Sequence, residues 1–470
     1  MKKKWLVIVT VLLLFSCSEQ KSNGEKLPVE LKGQAREVKL IVLAPGHFHA
    51  NLIQKRSIPQ VNDTVHVYAC SHDDIGLNQY LSAIESFNVR SEEPTQWQLK
   101  LYTGDDFVEK MVANSRGNVV ILAGNNKDKT KYMHKAICVG LHVLSDKPMA
   151  IDKDGFELLE DAFSVAESNG VLLYDMMTER YDLLNIIEKL LVNDSLFFGE
   201  LVSGTPEEPA VYMESIHHFY KEVSGVPLQR PAWYYDVKQQ GEGIADVTTH
   251  LIDLLFWKCF PNQVINYRRD ISDISATHWP TTISLDQFRK STGVSAFPYY
   301  LLNKVDDDML KVYANGTINF KVKHHTVGLK VIWNYQAPDS GGDTFMATMK
   351  GTKAIIKTIQ NKEQDFIKQL YVQAADGMNK NDFEYNLKQT IGKIQKSYPF
   401  VSYAPASGKN DFLINIPVKL REGHESHFRY VAERFFGYLV SQKMPESEIT
   451  NTLAKYYITT QAVDVANERN

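Results

Sequence analysis

Between Lys39 and about Met177 the sequence alternates short apolar runs with helix-like stretches. That alternation limits the folds open to the chain more than any other feature. The runs are "KLIVLA", "TVHVYA", "NVVILAG", "LHVLSD" and "GVLLYDMM", and between several of them lie segments such as "TKYMHKAICVG" and "DGFELLEDAFSVAESNG". Near-continuous apolar strands alternating with amphipathic helices imply a parallel sheet covered on both faces. In such sheets ligands bind beyond the carboxyl ends of the strands. Gly46 follows the first run, Asn125 and Asn126 the third, and Lys147 the fourth, so three polar elements converge on one edge.

A chain of 470 residues is too long for one compact core, so two domains are expected. After the helical "YDLLNIIEKLLVND" the pattern changes to polar, aromatic-rich loops, one strongly apolar helix and long alternating runs. "GTINFKVKHHTVGLKVIWNYQAP" and "TFMATMKGTKAIIKTIQ" predict antiparallel strands of an open sheet, and the chain closes with two helical segments, "HFRYVAERFFGYLVSQ" and "SEITNTLAKYYITTQAVDVAN". The expected class is α/β, with a doubly wound parallel sheet over 37–178 and an α+β domain built on an open, mainly antiparallel sheet over 179–470.

The N-terminus, "MKKKWLVIVTVLLLFSC", has a basic tip, an apolar run from Trp5 to Phe15 and small Ser16 before Cys17. The run is too short to span a bilayer, and its form is that of a secretory signal. "LFSC" resembles a bacterial lipobox. We therefore expect a signal over 1–16, lipidation of Cys17 and a flexible tether over 17–36, with the protein anchored to the outer membrane facing the periplasm or the cell surface. Cys70, Cys138 and Cys259 show no paired spacing; Cys70 and Cys138 read as buried thiols. With 52 basic and 56 acidic side chains, nothing in the charge balance attracts nucleic acid.

In "GEGIADVTTHLIDLLFW", Gly241 to Trp257, helical spacing puts Asp246, His250 and Asp253 on one stripe of an otherwise apolar helix. A buried helix must either hydrogen-bond such a stripe internally or aim it into a site. Lys147 follows a strand that should be internal, and Pro148 ends that strand, so its ammonium is either a solvated loop group or one held over the ligand crevice. The first turn, "LAPGHFHA", carries only Gly46 between Pro45 and the pair His47 and His49. By itself it reads as an altered nucleotide turn, a metal site or an ordinary loop.

Taken together, "VGLHVLSDKPMA" and "GEGIADVTTHLIDLL" resemble the "AGKHVLCEKP" and "GGGxxxDxGxHxxDxx" segments of the glucose–fructose oxidoreductase / inositol dehydrogenase (Gfo/Idh/MocA) family. The likeness runs in order from Lys39 to the final helices. The C-terminal text "APDSGGDTFMATMKGTKA" and "REGHESHF" resembles a bacterial subgroup with its own extension. The resemblance implies a Rossmann-type first domain and hydride transfer between a sugar hydroxyl and a nicotinamide. It casts His250 as base, Lys147 as the group that holds and acidifies the hydroxyl, and Asp246 as orienting the sugar or His250. "APGHFH" then stands where the family has GxGxxG, with Ala44, Gly46 and His49 at the three glycine positions. His47, Phe48, Ser71, Asn125, Asn126, Asp146, Lys147 and Pro148 complete the expected cofactor contacts. No acid closes the second strand, so NAD and NADP are not distinguished.

Export before cofactor binding implies a tightly held NAD or NADP. It also suits transient oxidation of a glycoside, with C3 the expected position. His217, His218, Trp233, Tyr234 and Asp253 are the expected sugar contacts. Two rivals stand beside this reading: an NAD-dependent glycosidase that oxidises, eliminates and reduces again, and a non-catalytic glycan-binding lipoprotein with a decayed nucleotide site. His424 and His427 in "GHESH" have weak metal spacing and no HExxH occurs. A zinc centre of Asp246, His250 and one of these histidines is therefore not adopted, and no metal is expected. Relatives are often dimers or tetramers, which sets the expectation for assembly.

Overall fold

The computed structural model describes residues 31–223, 226–338, 341–406 and 411–468; the expected signal, Cys17 and the tether up to residue 30 lie outside them. The apolar runs form parallel strands β1 (Leu40–Leu43), β2 (Thr64–Ala69), β3 (Gln98–Thr103), β4 (Val119–Leu122), β5 (His142–Ser145) and β6 (Leu173–Asp175), ordered β3-β2-β1-β4-β5-β6. Strand order reverses between β1 and β4, where Leu40 pairs with Val119 and Leu43 with Leu122. That is the switch point at which a Rossmann-type sheet opens its ligand crevice. Strand β3 was not among the expected runs. "QLKLYT" lies at the sheet edge with a half-exposed alternating pattern, so it lacks the continuous apolar signal of its neighbours. Cys70, expected to be buried, is exposed at the end of β2.

One face of this sheet is covered by α3 (Phe107–Asn114), α4 (Lys129–Cys138) and α5 (Lys153–Asn169), which pack on Ile41, Leu43, Val120 and Val143. The other face departs from the usual plan. Helix α1 (His49–Leu52) is a single turn, and α2 (Ile75–Val89) covers only part of the face. The remainder is filled from the far end of the chain. After α6 (Leu183–Val192), α7 (Thr248–Cys259) and the strands below comes α8 (His424–Ser441), which buries Phe428, Val431, Ala432, Phe435, Phe436 and Leu439 against Leu40, Val42, Ala50, Leu52, Val65 and Val67. At roughly 1.5–3 kcal/mol per large apolar side chain, this docking is a major part of the first sheet's stability. The C-terminal region therefore returns to the first sheet.

A larger sheet holds β7 (Val211–Tyr220), β8 (Ile271–Ser284), β9 (Met309–Val322), β10 (His325–Gln336), β11 (Thr344–Lys350), β12 (Ala354–Gln360), β13 (Gln369–Ala374), β14 (Ser402–Pro405) and β15 (Phe412–Asn415). Its order is β8-β9-β10-β7-β11-β12-β13-β15-β14, antiparallel except where β7 runs alongside β10. The last helix, α9 (Glu446–Glu468), lies against α5, α7 and β8 and joins the two sheets. Among the described residues no helix is long and apolar enough to cross a membrane.

Candidate active site

Lys147, just past β5, and Asp246, just before α7, form an ion pair across 99 residues of sequence. Asp246 is buried and Lys147 nearly so. Burial alone would raise the Asp246 carboxyl, but the Lys147 ammonium beside it holds it below the ordinary carboxylate value. His250 lies one turn further on. Its Nδ1 is buried without a hydrogen-bond partner, and burial, reinforced by Lys147, pushes its pKa down to about 4. The imidazole is thus neutral at neutral pH, as a proton acceptor must be. Trp233 and Tyr234 close the other side of a cavity of about 40 Å³ that is also lined by His47, Gly124, Asn126, Asp146, Lys147, Gln240 and Asp246.

Other expected contacts fall elsewhere. Asp253 is corrected: its carboxylate accepts from Arg180 Nε at 2.7 Å and Nη2 at 2.6 Å and from Lys455 Nζ at 3.3 Å, leaving nothing for a sugar. It shares the stripe of Asp246, but seven residues along a helix is about 10 Å of rise, which carries it past the crevice. His217 and His218 do not line the cavity. His218 Nδ1 is 2.9 Å from Asp343, His217 stacks on Trp333 at 4.9 Å, and Arg230 lies between Trp333 and Tyr234. Ser71 is exposed and its hydroxyl accepts from the Asp73 N–H, a local turn bond.

Sequence reasoning missed Glu179 and Lys368, and weighed His424 of "GHESH" only as a metal ligand. Glu179 sits in the field of His250, and its carboxyl, which burial would raise, is held far down by Lys368 at 3.3 Å and by the surrounding histidines. His424 opens α8, meets the Thr178 hydroxyl at 3.0 Å and brings its ring to 5.5 Å from that of His49. The only signal for it was the pair of histidines at the start of a predicted helix.

The crevice fits the expected dinucleotide at one end only. At the nicotinamide end the residues fit: Asn126 Oδ1 is buried without a partner beside Gly124 and Lys147, an acceptor suited to a carboxamide N–H. At the pyrophosphate end they do not. The Gly46 and His47 N–H groups both donate to the Ala123 carbonyl, at 3.0 and 3.2 Å, and α1 is too short to offer a helix N-terminus. Gly46 is wedged between Gly76 and Gly124; a Cβ on Gly76 would lie 2.5 Å from the Gly46 Cα, and one on Gly124 2.3 Å from the Ala44 carbonyl. Asn125 and the Asn126 amide are spent on Gln239 and Gln240. The glycines here let loops meet loops and do not clear room for a ligand. Phe48, expected at the cofactor, is largely exposed between the His47 and His49 rings.

Burial also lowers the pKa of His49 to about 3 and of His142 to about 4, as it does for His250. Unfolded imidazoles take up protons below about pH 6.5 while these stay neutral in the fold. Their stabilising contribution is full above that value and declines as pH falls from it toward about 4. We expect the melting temperature to drop between about pH 7 and pH 5, by ~1–2 kcal/mol of stability per histidine. A melting temperature that holds or rises over that interval would contradict the burial of these neutral rings.

The sequence model described as "Putative oxidoreductase C terminal domain" matches residues 187–467. A putative oxidoreductase from Parabacteroides merdae ATCC 43184 is similar at 47% identity and TM-score 0.91, over 94% of this chain and 100% of that one. The WlbA dehydrogenase from Bordetella pertussis, solved with NADH and UDP-GlcNAcA, shares the fold at TM-score 0.54 and 13% identity, over 93% and 97% of the two chains. A levoglucosan dehydrogenase in its apo form does so at TM-score 0.55 and 11% identity, over 92% and 97%. No curated protein matches the chain.

Proposed function

Because the chain belongs to the Gfo/Idh/MocA family of oxidoreductases, and carries its oxidoreductase C-terminal domain, we propose that it oxidises a hydroxyl of a sugar or glycoside with a nicotinamide dinucleotide as partner. The observation that carries this is the Lys147–Asp246 pair in one cavity with Trp233 and Tyr234, with neutral His250 one turn beyond Asp246 and in the field of Lys147. The sugar class is supported by the ligand of the Bordetella enzyme and by the name of the levoglucosan enzyme.

Lys147 would donate to the substrate hydroxyl oxygen and stabilise it as its proton leaves. Asp246 pairs with the ammonium and aims it, and neutral His250 takes the proton. Tyr234 and Trp233 offer ring faces and edges to the sugar. Asn126, Gly124 and Lys147 would hold the nicotinamide end of the cofactor. When bound, the cofactor supplies the hydride acceptor. A cavity of about 40 Å³ holds little more than a water, so a sugar enters only if the cavity enlarges.

Tight retention of the dinucleotide, expected from export, finds no support at the pyrophosphate end, and an exchangeable cofactor suits the spent N–H groups better. Export and lipid anchoring through Cys17, oxidation at C3, and a dimer or tetramer remain parts of the proposal carried by the sequence alone. Glycoside cleavage by oxidation and elimination is the second reading. It is favoured by Glu179 and His424 in the field of His250, since elimination needs a further group to take and return a proton.

The test uses the soluble chain beginning at Ser18. Denatured protein is assayed for released nucleotide, and folded protein is titrated with NAD and NADP. Little retained cofactor is expected, with saturable binding of one dinucleotide that Asn126→Ala weakens. Absence of binding for both would overturn the proposal and leave the glycan-binding reading.

A further inference from the structure

We propose that His47, His49 and Asp146 form a binding site for a first-row divalent cation such as Zn²⁺, at the turn where a dinucleotide fold normally presents its glycines. His49 Nδ1 is 3.0 Å from each oxygen of Asp146, and His47 Nδ1 is 3.4 Å from Oδ2. The three donor atoms all lie within 4.8 Å of one another. A cation about 2.0–2.2 Å from nitrogen and oxygen ligands, at angles between octahedral and tetrahedral, sets neighbouring donors roughly 3.0–3.5 Å apart. The separations of His49 and His47 from Asp146 match such a coordination edge.

A second observation points the same way. His47 Nδ1 is buried and has no hydrogen-bond partner, a costly state for a polar atom beside a carboxylate. A cation would satisfy it. Two imidazoles and one carboxylate form a set suited to Zn²⁺ and its neighbours, whereas Ca²⁺ and Mg²⁺ favour all-oxygen sites.

The scaffold holds these donors in place. Asp146 is buried, its N–H donates to the Leu122 carbonyl at 2.7 Å, and its own carbonyl accepts from buried Lys129. The His49 ring is braced by Phe428 of α8 at 4.5 Å. His47 and Asp146 line the same cavity as Lys147, so the remaining coordination positions face that cavity. The nearby Lys147 ammonium is paired with Asp246. The cation would restore, at this turn, the positive field lost when the Gly46 and His47 N–H groups bond to Ala123, and would offer a Lewis acid to an oxygen of whatever occupies the cavity.

The test needs neither nucleotide nor sugar. Soluble protein is stripped with a chelator, then titrated with Co²⁺, read by its visible absorption, and with Zn²⁺, read by calorimetry and melting temperature. The wild type should bind one equivalent with micromolar or tighter affinity, and Zn²⁺ should raise its melting temperature. His47→Ala, which removes a partly exposed ligand without opening the core, should weaken binding by at least ~100-fold and abolish the thermal shift. Asp146→Asn should do the same. Wild-type binding no tighter than millimolar, or binding that survives His47→Ala, would overturn the assignment.

Discussion

Asp253→Ala should be the most destabilising of the polar substitutions at α7, costing about 3–5 kcal/mol. Its carboxylate is buried and takes two hydrogen bonds from Arg180 and one from Lys455. Arg180 is also held by Glu448 at 2.9 Å, and Lys455 by Asp175 at 2.8 Å. Burial would raise the Asp253 carboxyl, but these cations hold it down at about 2, so it is ionised in the fold at any ordinary pH. Removing one member of such a cluster leaves buried cations short of a counter-charge. Denaturant unfolding of Asp253→Ala and Asp253→Asn measures the effect, with the amide the milder of the two. A variant of wild-type stability with a raised KM would instead place Asp253 against substrate.

Lys147→Arg should lower kcat by about 10²-fold or more while leaving the melting temperature close to that of the wild type. The guanidinium still balances Asp246, but it does not place a compact ammonium over the cavity. Lys147→Ala should lose the same activity and stability as well, because it strands a buried carboxylate. His250→Asn, read beside them, removes the proton acceptor without removing a charge. Equal losses in kcat and kcat/KM for Lys147→Arg and His250→Asn would mark both as acting on the transition state.

The placement of Lys147 at a strand end and of Asp246 and His250 on an apolar helix was legible in the periodic pattern, whereas their roles came from the family resemblance. Asp253 was misread from that same pattern. A helical stripe gives direction but not depth, and its partners Arg180 and Lys455 are distant in sequence. The docking of α8 on the first sheet was hidden similarly. "HFRYVAERFFGYLVSQ" announces an amphipathic helix, yet nothing local says that it covers Leu40 and Val42, nearly four hundred residues earlier. With that docking unseen, His424 could not be placed beside His49, nor could the shortness of α1 be explained. The turn itself was half legible. Gly46 was placed at the second glycine position of a nucleotide turn, but the groups that approach it are Gly76 and Gly124.

On the function proposed above, this cavity removes a hydride and a proton from a sugar carbinol. The most direct measurement is isotopic: sugars and glycosides deuterated at their ring carbons are incubated with the protein and NAD, and the nicotinamide is analysed by mass spectrometry. Deuterium should appear on the nicotinamide ring with the wild type, and at a rate lower by about 10²-fold or more with Lys147→Arg. Saturable NAD binding with no transfer of deuterium from any of the sugars would contradict that function.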